Sequence, residues 1–197
     1  MKKVYVLMIA LTVALSVSAQ ECVDLGLSVN WASCNLGAER PTDKGTLYYM
    51  GSGIEFIPGV INNDIKIVDH NKDFSGDPNL DPSTQYWGAM WRTPTSVEWE
   101  ELINRCTWKY YNYVDDRGIE GKGYEVTGPN GNRILLPANY FARQNGTGLY
   151  QTSTPKYKSK KIDILLFSPK RVLVQPWKYN YMTVHVYGVG YRPVTDK

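Results

Sequence analysis

One segment of this sequence carries a full helix signal. Thr95-Ser96-Val97-Glu98 has the form of a capping box, in which the Thr95 hydroxyl accepts from the backbone of Glu98 and the Glu98 carboxylate reaches back. Pro94 precedes the cap. Val97, Trp99, Leu102 and Ile103 follow as an apolar stripe, while Glu98, Glu100, Glu101 and Arg105 fall on the wet side. The pattern predicts a helix ending near Cys106. From residue 23 onward the rest is short strand-like stretches punctuated by Gly, Pro, Asn and Asp, with no linker and no strict repeat. One helix among many short antiparallel strands makes an α+β domain.

The strands are read from alternation and turn chemistry. Leu27 to Cys34 alternates in part and closes at Asn35-Leu36-Gly37; Thr46 to Met50 is Tyr-rich and stops at Gly51-Ser52-Gly53. Residues 58–82, rich in Asn, Asp, Gly and Pro, read as a surface loop with a short strand at Ile65 to Val68. Gly123 to Thr127 and Asn132 to Leu136 flank Gly128-Pro129-Asn130-Gly131, a hairpin turn in which Asn-Gly accepts positive φ. Ile162 to Phe167, Arg171 to Gln175 and Met182 to Tyr187 complete the set.

The first residues have a different purpose. Lys2 and Lys3 precede an uncharged apolar run, Val4 to Val17, and Val17-Ser18-Ala19 places small residues where a signal peptidase cuts. Residues 1–19 are therefore expected to be a signal peptide, leaving 20–197 as a single domain. The run is too short to favour a spanning helix, and no small residue directly precedes Cys22, as a lipoprotein signal requires. Cleavage removes two lysines and no acid, taking the formal net charge of +3 to +1. A near-neutral domain lacks the basic face that nucleic acid demands. Hydrophobic residues make up 43% of the chain, which excludes disorder. Export places Cys22, Cys34 and Cys106 in an oxidising compartment, where they allow at most one bridge. Spacing does not fix the connectivity; Cys34 with Cys106, closing the longer loop, is the preferred disulfide.

Several phrases together resemble a known family. Val23-Asp24-Leu25-Gly26-Leu27-Ser28-Val29-Asn30-Trp31-Ala32 opens the mature chain, and Leu80-Asp81-Pro82 leads to Trp87-Gly88-Ala89-Met90-Trp91-Arg92-Thr93-Pro94-Thr95 with Glu98-Trp99. Cys106-Thr107-Trp108, Leu136-Pro137-Ala138, Tyr187-Gly188 and Arg192-Pro193-Val194 follow. The combination resembles the Fibrobacter succinogenes major paralogous domain family of secreted and surface proteins from Gram-negative anaerobes. It covers roughly residues 23–195. The Trp-Arg-x-Pro-Thr-x-x-Glu-Trp core also recurs in formylglycine-generating enzymes and in the variable proteins of diversity-generating retroelements. The resemblance implies a C-type-lectin-like fold with one or two helices. It places the chain in the periplasm, outside the cell or on the outer cell surface. Trp31, Trp91 and Trp99 read as core, and Arg92 and Arg192 as residues that hold loops. Two departures stand out: Tyr150-Gln151-Thr152-Ser153 replaces the family's Tyr-Trp-Ser-Ser phrase, and Ser83-Thr84 replaces an acid pair.

Reactive groups are sparse. A formylglycine-generating oxidase needs cysteines late in the chain, yet all three fall at or before Cys106. His70 and His185 are too few for a His-rich metal site, so no metal ligands and no catalytic residues are assigned. Asp69, Asn71, Asp73, Asp77 and Asp81 begin with calcium-loop spacing, but Phe74 stands where the loop wants Gly and Leu80 where it wants a bidentate acid. Calcium is therefore not supported by spacing, and no cofactor is expected. Lys156, Lys158, Lys160 and Lys161 form a basic loop, read as solvated.

What remains is a surface. Tyr150, Gln151, Tyr157, Trp177, Tyr179, Tyr181 and His185 lie late in the chain, and Tyr and Trp offer broad amphipathic contact at low entropy cost. The competing reading is packing within a Tyr-rich sheet. The expectation is a non-enzymatic recognition module for an extracellular glycan or protein. The alternatives are a self-associating structural component of a fimbria-like assembly and, more weakly, a formylglycine-generating-type oxidase.

Overall fold

The structure, a computed structural model, describes residues 21–60, 72–140, 146–156, 161–178 and 188–197. The expected signal peptide, the strands at 65–68 and 182–187, and His70 lie outside these residues. Among them, eleven strands form four small antiparallel sheets. β1 (Cys22–Asp24), β2 (Val29–Ala32) and β11 (Val194–Asp196) make one sheet, with β2 central. β3 (Tyr48–Tyr49) pairs with β10 (Gly188–Val189). β4 (Thr107–Val114), β5 (Glu120–Thr127) and β6 (Arg133–Pro137) form a meander, as do β7 (Gly148–Lys156), β8 (Lys161–Ser168) and β9 (Arg171–Lys178). Two helices, α1 (Pro82–Trp87) and α2 (Ser96–Arg105), complete the described elements.

The α+β, C-type-lectin-like expectation is overturned by these proportions. Strands take 43% of the described residues and helix only 11%. Two segments that the alternation left unassigned, Thr107–Val114 and Gly148–Lys156, are eight- and nine-residue strands. The first is dense in aromatic residues, which favour a pleated surface. The second is buried along most of its length, so it has no polar–apolar alternation to read.

The β7–β8–β9 sheet separates two apolar clusters, which explains the run Ile162 to Phe167. Side chains alternate across a strand. Ile162 and Ile164 enter a cluster with Leu36, Tyr48, Met50, Phe74 and Tyr191. Leu165 and Phe167 enter the other, with Trp31, Trp99, Leu102, Val126, Leu136 and Val194. Trp31 and Trp99 meet at 4.6 Å between ring centroids and are fully buried. Such a pair adds about 0.5–1.5 kcal/mol beyond its area.

The segment from Trp91 to Trp99 is consumed by architecture. Thr95 caps α2, and the reciprocal Thr95–Glu98 bonds complete the capping box. Glu98 also takes a two-pronged grip from Arg92, with Nη1–Oε2 at 3.0 Å and Nη2–Oε1 at 2.6 Å. Arg92 Nε reaches Asp196 Oδ1 at 2.9 Å, tying the helix start to the C-terminal strand. Thr93 donates both N–H (2.7 Å) and hydroxyl (2.6 Å) to Asp81, the buried N-cap of α1. Trp99 Nε1 donates to Gln151 O at 3.3 Å.

Arg192 is fully buried among neutral oxygens. Its guanidinium donates to Asn35 Oδ1 (2.9 Å), Ala32 O (3.0 Å) and Leu135 O (2.6 Å). Burial without a carboxylate among these partners pulls its pKa down. Replacing it leaves three buried acceptors without donors. Arg192→Met is expected to lower unfolding stability by about 2–4 kcal/mol in urea titrations. Val97→Ala, at a position 70% exposed, is expected to shift it by less than about 0.5 kcal/mol.

Candidate ligand cleft

The β4–β5 hairpin outruns its third strand. β4 and β5 stay in register from Thr107↔Thr127 to Val114↔Glu120, whereas β6 pairs only with Gly123 to Thr127. The last turn of the ribbon is therefore two-stranded. Asn112 faces Lys122 and Val114 faces Glu120, so these four side chains share one face. Gly121 stands opposite Tyr113, and a Cβ there would run into the Tyr113 ring. Glycine is what lets that ring lie across the ribbon.

Two loops hold this ribbon. On one side, Tyr113 Oη donates to Thr42 O at 3.0 Å, and ion pairs join Arg40 to Asp116 and Arg117 to Asp43. Asp115 shapes the turn by accepting from the backbones of Arg117 and Ile119, each at 2.9 Å. Gly118 takes the positive φ, 78°, that the turn needs. The Arg117 pKa is raised by its hydrogen bonds to Asp115 and Asp43. Burial drives the Tyr113 phenol well above its ordinary range, helped by nearby Tyr150 and Tyr111, so it remains a donor. On the other side, Tyr140 N bonds Thr147 O at 3.0 Å and Ala138 N bonds Lys122 O at 2.7 Å. Tyr110 Oη fastens Gly146 O at 3.2 Å.

Between ribbon and loops lies an open cleft of about 660 Å³. Lys44, Asn112, Tyr113, Glu120, Lys122 and Tyr140 are among its lining residues. Its volume falls in the ordinary range for small-ligand sites. The mixture of phenol rings, an amide, two amines and a carboxylate offers donors, acceptors and flat apolar contact together. A smaller hollow of about 210 Å³ lies beside Pro41, Glu125 and Arg133.

Of the late-chain residues expected at a ligand surface, Tyr150, Gln151 and Trp177 are described. Tyr150 and Gln151 are fully buried, which removes them from any ligand surface. Tyr150 Oη donates to Pro137 O at 2.7 Å and receives Asn35 Nδ2 at 3.1 Å. Gln151 Oε1 accepts from Gly51 N at 3.0 Å, and its Nε2 donates to Thr152 O at 2.8 Å. The reason is their strand: β7 runs between β8 and a parallel bridge to Gly190, so it has neighbours on both edges. Trp177 is half-buried on β9 opposite Ile162, against the second apolar cluster. Tyr157, Tyr179, Tyr181 and His185 lie outside the described residues.

The preferred Cys34–Cys106 bridge is also absent: neither cysteine is disulfide-bonded. Cys34 is buried with its sulfur 3.4 Å from Ala38 O. Cys106 caps the end of α2 against the first cluster, and burial pushes its pKa up to about 11. Among the described residues no group of three His, Cys, Asp or Glu side chains converges to hold a metal. Asp73, Asp77 and Asp81 instead accept from backbone N–H groups of Ser75, Asn79 and Ser83. Sequence reasoning missed the cleft, whose only linear trace is the polar–aromatic alternation of Tyr111, Asn112 and Tyr113. Comparison with protein families, with curated proteins and with solved structures finds no match to this chain.

Two outcomes are expected. Arg117→Ala frees the hairpin end, so amide exchange over 112–121 accelerates by about tenfold or more while the urea midpoint of global unfolding stays nearly unchanged. Burial raises the Tyr150 pKa to about 12. Its neutral form is favoured in the fold, so this contribution is whole below the unfolded tyrosine value near 10 and is lost as pH climbs through about 12. Alkaline urea titrations are expected to show a decline to which Tyr150 contributes, and Tyr150→Phe to make it shallower.

Proposed function

We propose that the chain is an exported, non-enzymatic recognition module that binds an extracellular glycan or protein segment in the cleft at the end of the β4–β5 ribbon. The cleft itself carries the reading. Tyr113 and Tyr140 bring phenol rings, and Asn112, Glu120, Lys44 and Lys122 bring hydrogen-bonding groups of both senses to one hollow. Sugars present hydroxyls that both donate and accept around a ring with apolar faces, so this set suits a glycan best. The motifs that resemble the Fibrobacter succinogenes major paralogous domain family support a surface role, as does the export signal expected in residues 1–19. Those motifs act here as framework: Arg92, Thr93, Glu98 and Trp99 are committed to internal partners. An oxidase reading is weakened by Cys34 and Cys106, whose pKa values burial raises away from the thiolate.

A second reading, self-association in a surface assembly, draws on Val114 and Ile119. They leave 65% and 54% of their surface exposed near the same hairpin tip. One experiment separates the two. The mature chain is applied to a glycan array and titrated by calorimetry against its best binder, in parallel with sedimentation. Asn112→Trp, which fills the cleft from an exposed position, is expected to abolish binding while Val97→Ala leaves it unchanged. Concentration-dependent association without any array signal favours the assembly reading instead.

A further inference from the structure

Resting on the cleft reading, we infer that the ligand is an acidic saccharide, a sugar chain carrying carboxylates rather than a neutral one. The charges around the cleft are unevenly spent. Arg117 at the hairpin tip and Arg40 on the loop against it are paired with Asp43, Asp115 and Asp116. Those three acids are therefore already engaged. Lys44 and Lys122 line the hollow from opposite walls, the loop and β5, and among the described residues neither has a carboxylate within ion-pair distance. Among the described residues Glu120 is the one acid in the lining. Among the described lining residues, two cations against one anion leave the cleft positive, although the mature chain as a whole is close to neutral.

Position matters as much as sign. Glu120 and Lys122 lie two residues apart on one strand, so their side chains rise from the same face. The pair presents an acceptor and a cation side by side, with Asn112 across from Lys122. A sugar bearing one carboxylate and neighbouring hydroxyls satisfies that arrangement: carboxylate toward Lys122 and Lys44, hydroxyls toward Glu120 and Asn112. A cleft with apolar walls also focuses the field of its charges on an arriving anion. Walls of this kind are supplied by Tyr113, Val114 and Tyr140.

The test uses the mature chain with three probes: an oligogalacturonate tetrasaccharide, its carboxyl-reduced neutral counterpart, and a sulfated tetrasaccharide of equal charge. At low ionic strength the carboxylated probe is expected to bind about tenfold or more tighter than the neutral one, and the gap to close in molar salt. Lys44→Gln and Lys122→Gln are each expected to weaken the carboxylated probe several-fold more than the neutral one, so that the gap narrows. Glu120→Gln is expected to weaken hydroxyl recognition in both. Equal affinity for carboxylated and neutral probes overturns this inference and leaves the glycan reading standing. Tighter binding of the sulfated probe overturns the assignment to carboxylates. Binding of none of the three, with circular dichroism confirming a folded chain, overturns the inference and the glycan reading together.

Discussion

A buried positive charge near the C-terminus organises this fold. Arg192 sits where β2, β6 and β7 converge, and its donors close on Ala32, Asn35 and Leu135. Tyr150 joins the same knot through Asn35 and Pro137. Taking a guanidinium out of water is costly, and neutral oxygens compensate only when several are correctly placed. The site therefore tolerates one arrangement of its surrounding strands. It couples residues separated by 157 and 160 positions in sequence, so the last segment of the chain fixes the first.

The segment from Trp91 to Trp99 does similar work closer to the surface. Arg92 unites the start of α2 with Asp196, while Thr93 satisfies the buried Asp81 that starts α1. Few of these polar atoms are left over for a ligand. The part of the sequence that looks most like a motif is thus the part least available for binding. The cleft is lined mainly by residues outside those motifs.

This also explains what could be read in advance. The helix at 96–105 and the Gly128–Gly131 hairpin were legible because their signals are local: a capping box in one case, an Asn-Gly turn in the other. α1 announced itself only through Asp81-Pro82, an N-cap followed by proline, inside what looked like a loop. β7 was illegible because two flanking neighbours bury it on every side, which erases alternation and made Tyr150 and Gln151 look like surface groups. The bridge expected between Cys34 and Cys106 failed for a related reason. Spacing says nothing about where a thiol is buried: Cys106 packs on the first apolar cluster, while the Cys34 sulfur lies against Ala38 O. The cleft depends on one strand pair outrunning a third, a property of register that no single segment contains.

That overhang has an evolutionary consequence. Residues 112, 114 and 120 lie beyond the β6 ladder, so exchanging their side chains disturbs few of the contacts that decide whether the chain folds. Tyr113 and Gly121 are the exceptions, because the Tyr113 ring occupies the space above Gly121 and its hydroxyl holds Thr42 O. Side chains at the ribbon's end can therefore vary while the frame is inherited unchanged.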